Sequence, residues 1–511
     1  MANIFQTTPV RKIKRNTFNL SHDFKFTGQM GKLIPTLVQE VLPGDSFNIK
    51  TETLIRFAPL VSPVMHNIKV FTHYFFVPNR IVYDDWEKFI STDLSKGVPP
   101  AWPHLSIQLG SNNLTRKGSL ADYIGVPVQQ SPYGSDIQIS ALPFAAYQCI
   151  YNEYYRDQNL ISEVDYKLNS GVNTSPKSGE LLTLRTRSWM HDYFTSALPF
   201  QQKGPAVQIP FDFEDAEVDI YYNQAASSPS VRGWQNNDST NTTVKTGLSD
   251  NPSKPYGELF GIADGTTASG TISDLRLALR LQEWFEKAAR GGSRYVEQLK
   301  VHFNVLSSDK RMQRPEFLGG TRNPVVISEV LQTSSTDGTS PQANMAGHGI
   351  SGSYGTNIRY YAEEHGYIFG IMSVMPDTAY QQGLSRHFTR KSWEDYAWPT
   401  FAHLSEQPIL NQELYVVNDN KNEEIFGYIP RYSEYRYQPS RVAGEFRDSL
   451  SFWHLGRIFA NRPLLNQDFV ECKPRTDIFA VTDDENQPLW CHSYHKVFVK
   501  RKLPKYGVPT L

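Results

Sequence analysis

The chain has 511 residues in which 51 Lys+Arg almost cancel 52 Asp+Glu, and aromatics at 13% supply material for a sizeable core. With 33 Gly and 32 Pro spread throughout, the composition favours many short strands joined by turns over a helical bundle. It argues against a membrane helix, since no apolar run nears the ~20 residues of a span, and against a disulfide scaffold, since Cys149, Cys472 and Cys491 are its only cysteines.

Residues 1–22 read as a basic arm, where Arg11, Lys12, Lys14 and Arg15 occur with no acid. No apolar segment backs those cations as a secretory signal requires, so a soluble chain of cytoplasmic origin is expected. The sequons at Asn113, Asn173 and Asn241 then carry no weight. Leu37–Leu42 runs into the turn Pro43-Gly44-Asp45, and Phe47–Lys50 alternates out of it: strand, turn, strand. Asn67–Val77 is the clearest strand. Ile68, Val70, Tyr74 and Phe76 lie on one face and Phe71, Phe75 and Val77 on the other, which predicts cover on both sides. Pro78-Asn79 ends it, and Asp84–Glu87 opens a short helix.

Pro143–Asp157 sets Tyr147, Ile150, Tyr151, Tyr154 and Tyr155 at helical spacing. In Tyr222–Gly270, 30 of 49 residues are Ser, Thr, Asn, Asp, Gly or Pro, the composition of a surface insertion. The strongest helix is Ile272–Arg290. Thr271 and Asp274 have capping-box spacing, Leu277, Leu281, Trp284, Phe285 and Ala288 form a stripe, and Gly291-Gly292 stops it. Strand-like runs follow at Leu299–Val305, Pro324–Leu331, Tyr367–Val374, Glu413–Val417 and Tyr494–Lys502, with a Ser-, Gly- and Thr-rich flexible loop at 333–355. Residues 496–511 read as a basic tail with Lys496, Lys500, Arg501, Lys502 and Lys505. Between Asp23 and Glu485, 42 basic residues face 52 acidic ones, a net of −10. Two basic ends on an acidic body point to a polyanion, nucleic acid first.

Enzymatic signals are weak. Gly347-His-Gly349-Ile-Ser-Gly352 matches GxGxxG but lies in an expected loop, without the strand before and helix after that a dinucleotide site needs. Cys472, Cys491, His492 and His495 lack the CxxC pairing of structural zinc, and the two histidines fall on opposite faces of a strand, so tail histidines and no metal are expected. The acid pairs Asp84-Asp85, Glu363-Glu364 and Asp483-Asp484 read as solvated or capping positions. Arg359-Tyr360-Tyr361 and Arg431-Tyr432-Ser433-Glu434-Tyr435-Arg436-Tyr437 interleave arginine with aromatics, the composition of subunit-interface anchors more than of base-stacking platforms.

Several blocks carry a resemblance. Phe18–Asp23, Met30–Pro35, Glu40–Asp45, Ala58–His66 and Thr72–Arg80 are similar to the start of the major capsid protein of microviruses, particularly the gokushovirus-like branch. The similarity continues in order through Ala289–Tyr295, Arg314–Gly320, Glu364–Tyr367, Thr378–Leu384, Gln407–Glu413, Pro439–Val442 and Leu503–Pro509. The resemblance implies a mainly β fold, an eight-stranded antiparallel viral jelly-roll with long insertions, in one domain over 23–511. It also implies a T=1 icosahedral shell of 60 copies around circular single-stranded DNA, made in a bacterial host and found in the virion. A small basic DNA-binding protein, scaffolding proteins and a host receptor are the further partners it implies, with no cofactor and no enzymatic activity. The match fades at 222–270, which is therefore the expected threefold protrusion. Arg11, Lys12, Lys14, Arg15, Lys500, Arg501, Lys502 and Lys505 are expected to face the interior and meet genome phosphates. Two other classes stay open: a carbohydrate-binding β-sandwich and a free single-stranded DNA-binding protein.

Overall fold

The computed structural model describes residues 14–91, 98–107, 115–128, 137–207, 212–213, 218–222, 259–263, 268–269, 272–333, 345–355, 357–481 and 487–506. The chain divides into two compact units, one formed by 1–201 with 291–511 and the other by 202–290.

The first unit is built on two antiparallel sheets. The chain begins with β1 (Asn16–Asn19), β2 (His22–Gly28), β3 (Ile34–Val41), β4 (Ser46–Phe57) and β5 (Ile68–Pro78). A helical excursion follows, carrying the ribbon of β6 (His104–Ile107) and β7 (Ile137–Ser140). The second unit holds the short pairs β8 (Asp212–Phe213) with β11 (Ala268–Ser269), and β9 (Val218–Tyr222) with β10 (Leu259–Ala263). The sandwich resumes with β12 (Glu316–Pro324), β13 (Val326–Leu331), β14 (Met345–Tyr354), β15 (Ile358–Tyr361) and β16 (Gly366–Pro376). Another excursion carries β17 (Glu406–Leu410) paired with β18 (Ile425–Pro430), and β19 (Leu489–Arg501) closes the fold.

One sheet has the order β12-β5-β16-β3; the other runs β1-β19-β4-β14-β13, with β2 extending the β1 edge along β19 and β15 extending the line of β14 along β4. The chain crosses between the sheets at β2–β3, β3–β4, β4–β5, β12–β13 and β15–β16, and again from β16 to β19. If β14 and β15 are taken as one interrupted strand, eight strands from β3 to β19 form a jelly-roll sandwich, and β1–β2 adds an edge.

Sequence alternation explains the packing. In β4, Phe47, Ile49, Ile55 and Phe57 point inward, while Asn48, Lys50, Leu54 and Arg56 point away. Their inner partners are Leu37, Val41, Tyr74, Phe76, Ile368, Val497 and Val499 at one end, and Ile34, Ile68, Val70, Met372, Val374 and Leu489 at the other. The reverse face of β5 and β16 offers Phe75, Val77, Phe369 and Ile371 to Phe144, Tyr147 and Ile150 of the helix Leu142–Ile150. Both faces of β5 are thus covered, as its sequence predicts. That helix continues as a π-turn over Tyr151–Tyr155, and the Tyr147 hydroxyl donates to the Leu33 carbonyl at 2.8 Å, tying it to the sheet.

Three expectations are corrected. Leu299–Val305 is not a strand: the helix Tyr295–Phe303 covers it, because Glu297 accepts from the Arg294 amide at 3.1 Å and Asn304 closes it in left-handed backbone. Glu413–Val417 begins in the helical turn Asn411–Leu414, where the Glu413 carboxylate accepts from the Leu410 amide at 3.0 Å. The stretch 333–355, read as a loop, ends in the ten-residue strand β14, and 334–344 lie outside the described residues. Two of the GxGxxG glycines are in β14 for packing: a side chain at Gly347 would strike the Ser62 carbonyl, and one at Gly349 would meet the Phe57 ring at 2.9 Å. The basic tail 496–511 runs as strand through Arg501, as the strand-like run Tyr494–Lys502 predicts, because Val497 and Val499 belong to the core.

The helix Ile272–Gly291 forms as its spacing predicts, with Gly292 just beyond it in left-handed backbone. Ala288 is buried, whereas Leu277, Leu281 and Trp284 are exposed. Its cap residue Thr271, and most of 222–270, lie outside the described residues.

His495, read from sequence as a tail histidine, is fully buried in β19, with Nδ1 2.9 Å from the Thr51 hydroxyl. Burial, with the His22 ring 5.3 Å away, pushes its imidazole down to about 4. In the unfolded chain it would titrate near 6.5. Its stabilisation is therefore complete above pH ~6.5 and is lost as pH falls toward 4, at roughly 1.4 kcal/mol per unit and about 3 kcal/mol in all. Urea unfolding of the soluble subunit at pH 7.5 and 4.5 should show this loss, with a shallower pH slope in His495→Gln. Equal slopes would contradict it.

Candidate functional site

The β1–β19 register places Asn16 opposite Arg501 and Thr17 opposite Lys500, so the two basic ends of the chain meet at one corner of one sheet. The Asn16 side-chain amide donates to the Leu503 carbonyl at 2.6 Å, and the Arg15 guanidinium stands 5.5 Å over the Tyr361 ring. Lys14, Arg15, Lys500, Lys502 and Lys505 are all exposed there. Arg11 and Lys12 lie outside the described residues. Arg501 differs from the expectation: it turns inward, and its Nη2 and Nε donate to the buried Asp45 carboxylate at 2.6 and 2.9 Å. It is a structural cation.

The corner continues into a charged face. On the side of this sheet away from the core, Trp490 sits opposite Arg56, His492 opposite Leu54, Tyr494 opposite Glu52, Lys496 opposite Lys50, and Phe498 opposite Asn48. From the flanking strands come Lys25, opposite His492, and Arg359, opposite Asn48. Lys496 and Lys50 directly opposite each other repel across a pair of strands. Glu52 offsets both, 2.8 Å from Lys496 and 4.0 Å from Lys50. Trp490 is 49% exposed and Phe498 43%, unusual for large aromatics on an open sheet. Where Trp490 stands, a groove of about 610 Å³ is lined by Phe24, Phe26, Lys25, Arg56, Lys117 and His492. Cations interleaved with exposed rings suit a flexible polyanion with stackable bases.

Sequence reading reached the termini but missed Lys25, Lys50, Arg56 and Trp490. The period-2 alternation of β4, which sets Lys50 and Arg56 opposite its apolar residues, was the available signal.

The two arginine–aromatic segments separate on inspection. Tyr360 is half-buried and donates to Glu316 at 3.1 Å, and Tyr432 is buried with its backbone in the left-handed region. Both are internal supports. Arg431 is half-buried, 5.1 Å from the Tyr432 ring. Arg359, Tyr361, Tyr435, Arg436 and Tyr437 are exposed. The tempting metal set is not assembled either. Cys472 packs with Phe71, Trp189 and Met375, while Cys491 lies in the inter-sheet core, where burial pushes its thiol up to about 12. Among the described residues no cluster of three metal-ligating side chains occurs, and no helix is long and apolar enough to cross a membrane.

Comparison with known proteins gives one consistent result. Residues 6–511 match the family model described as capsid protein (F protein). The chain is 35% identical to capsid protein VP1 of Chlamydia phage 1, over 100% of this chain and 98% of that protein. It is 36% identical to capsid protein VP1 of Bdellovibrio phage phiMH2K, over 99% and 97% respectively. To capsid protein VP1 of Spiroplasma virus 4 it is 31% identical, over 98% and 96%.

Proposed function

This chain belongs to the phage F-type capsid protein family, and from that premise we propose that 60 copies close a T=1 shell around circular single-stranded DNA, with the outer face of the β19 sheet turned to the genome. The single observation that carries the interior assignment is the convergence of both basic termini on that sheet. A shell protein needs no catalytic centre. It needs a rigid sandwich, broad contacts and one face that tolerates concentrated phosphate. Lys25, Lys50, Arg56, Arg359, Lys496 and Lys500 against Asp23 and Glu52 provide such a face. Small partners that neutralise the rest of the genome, scaffolding proteins and a receptor remain compatible with it.

Replacing Lys14, Arg15, Lys500, Lys502 and Lys505 together with Ala should lower the DNA content of purified particles. If each of the five cations contacts one phosphate, the slope of log affinity for oligo-dT against log salt should fall by about 3.5, at ~0.7 per phosphate for single strands. Unchanged DNA content with an unchanged slope would refute the assignment.

A further inference from the structure

We propose that a cavity lined by arginine and tyrosine, together with the aromatic ridge beside it, receives a carboxylate-bearing loop from a second copy of this chain. The inference rests on the self-assembly reading above and adds the surface that carries out one of its contacts.

The cavity holds about 290 Å³ between the segments around 380–390 and 435–447. Its floor is already neutral. The buried Glu413 carboxylate accepts from the Tyr193 hydroxyl at 2.9 Å and pairs with Arg386 at 3.2 Å. Glu434 accepts from the Gln407 amide at 2.6 Å and lies 3.8 and 3.7 Å from Arg386 and Arg390. Burial raises the Glu413 carboxyl above the usual carboxylate range, with Arg386 opposing that shift. The mouth is different. Arg441, Arg447 and His387 line it, exposed, and among the described residues neither arginine pairs with a carboxylate. Deeper in, the donor Arg390 Nε and the acceptor Gln381 Oε1 are buried without a hydrogen-bond partner among the described residues, so an incoming loop would meet both with a carboxylate and a donor of its own. An unmet donor beneath unneutralised guanidinium groups calls for an anion that can accept in-plane hydrogen bonds, which a carboxylate does.

The surroundings select the kind of partner. Arg390 stacks 4.7 Å from the Tyr435 ring and 5.0 Å from the Tyr396 ring, joining the cavity to a ridge of exposed Phe388, Trp393 and Trp398. Trp393 alone is 61% exposed. Contiguous exposed Trp, Tyr and Arg is the composition of protein-interface hot spots. The space suits one or two side chains rather than a strand of nucleic acid. A second copy fits the charge: the body between Asp23 and Glu485 carries a net −10, so a neighbour offers carboxylates in excess.

Hydroxyl-radical footprinting of particles made from this chain alone, against dissociated subunits, should show Trp393 and Tyr437 protected on assembly. The double variant Arg441→Glu/Arg447→Glu should stay soluble with an unchanged melting temperature but lose at least tenfold in particle yield, and Arg441→Lys/Arg447→Lys should recover most of it. Equal reactivity of Trp393 and Tyr437 in both states, or full yield from the charge-reversed variant, would overturn the proposal. Protection of the same residues in unassembled subunits mixed with the other virion proteins would overturn the second copy as occupant. A wild-type chain that forms no particles even alongside the virus's other virion proteins would instead overturn the self-assembly reading, and this inference with it.

Discussion

Arg501→Ala is expected to lower the unfolding free energy of the subunit by about 3–5 kcal/mol, the cost of leaving a buried charge unpaired. Asp45 is only 1% exposed and receives two hydrogen bonds from Arg501, along with the Leu42 amide at 3.0 Å. Its other oxygen, Oδ1, has no partner among the described residues, so nothing else there can compensate the lost guanidinium. Adding Asp45→Asn to the Arg501 variant removes the stranded charge and should restore part of the loss. Neighbouring Lys500 is exposed, and Lys500→Ala should change stability by no more than about 0.5 kcal/mol. Urea unfolding of the three variants separates the cases. A stable Arg501→Ala subunit defective only in DNA content would show that Arg501 serves the genome after all.

Phe76→Ala should cost a similar amount, about 3–5 kcal/mol, for a different reason. The ring is fully buried between the sheets beside Leu37, Phe47, Ile368 and Val497, and packs 5.0 Å from Tyr360. Gly366 on the adjacent strand has no side chain, and a Cβ there would lie 2.8 Å from the ring, so the site is fitted closely to Phe76. Truncation leaves a cavity that rigid paired strands cannot collapse into. Phe498→Ala is the control: Phe498 points to the opposite face of its strand, and its loss should leave the urea midpoint within experimental error. Equal midpoints for wild type and Phe76→Ala would mean that the two sheets do not share this core.

How much of this was legible in the sequence depends on the range of the interactions involved. The strands around Asn67–Val77 and Leu37–Phe57 were readable because local alternation and one turn specify them. The helix from Ile272 was readable because caps and periodicity are local too. The run Leu299–Val305 misled because its apolar residues suit either structure, and the deciding contact is the Glu297 cap before it. β14 was hidden by glycines, whose role appears only when Ser62 and Phe57 are seen pressed against them. The site shows the same division. Clustered cations at the two ends were visible as charge, but only the β1–β19 register, which spans nearly the whole chain, brings Arg15 and Lys500 together. The same register turns Arg501 inward to Asp45, a partner 456 residues away that no local pattern reveals. The cavity around Arg390 was missed for that reason: its walls come from segments around 193, 380–390, 413 and 434–447.

Electron cryomicroscopy of DNA-filled particles tests the central claim most directly. The account predicts that Trp490, Lys496 and Lys500 line the interior, with density for nucleotides continuous across the groove beside Trp490. A shell whose β19 face points outward, or is covered by a neighbouring subunit with no nucleotide density against it, would contradict the account.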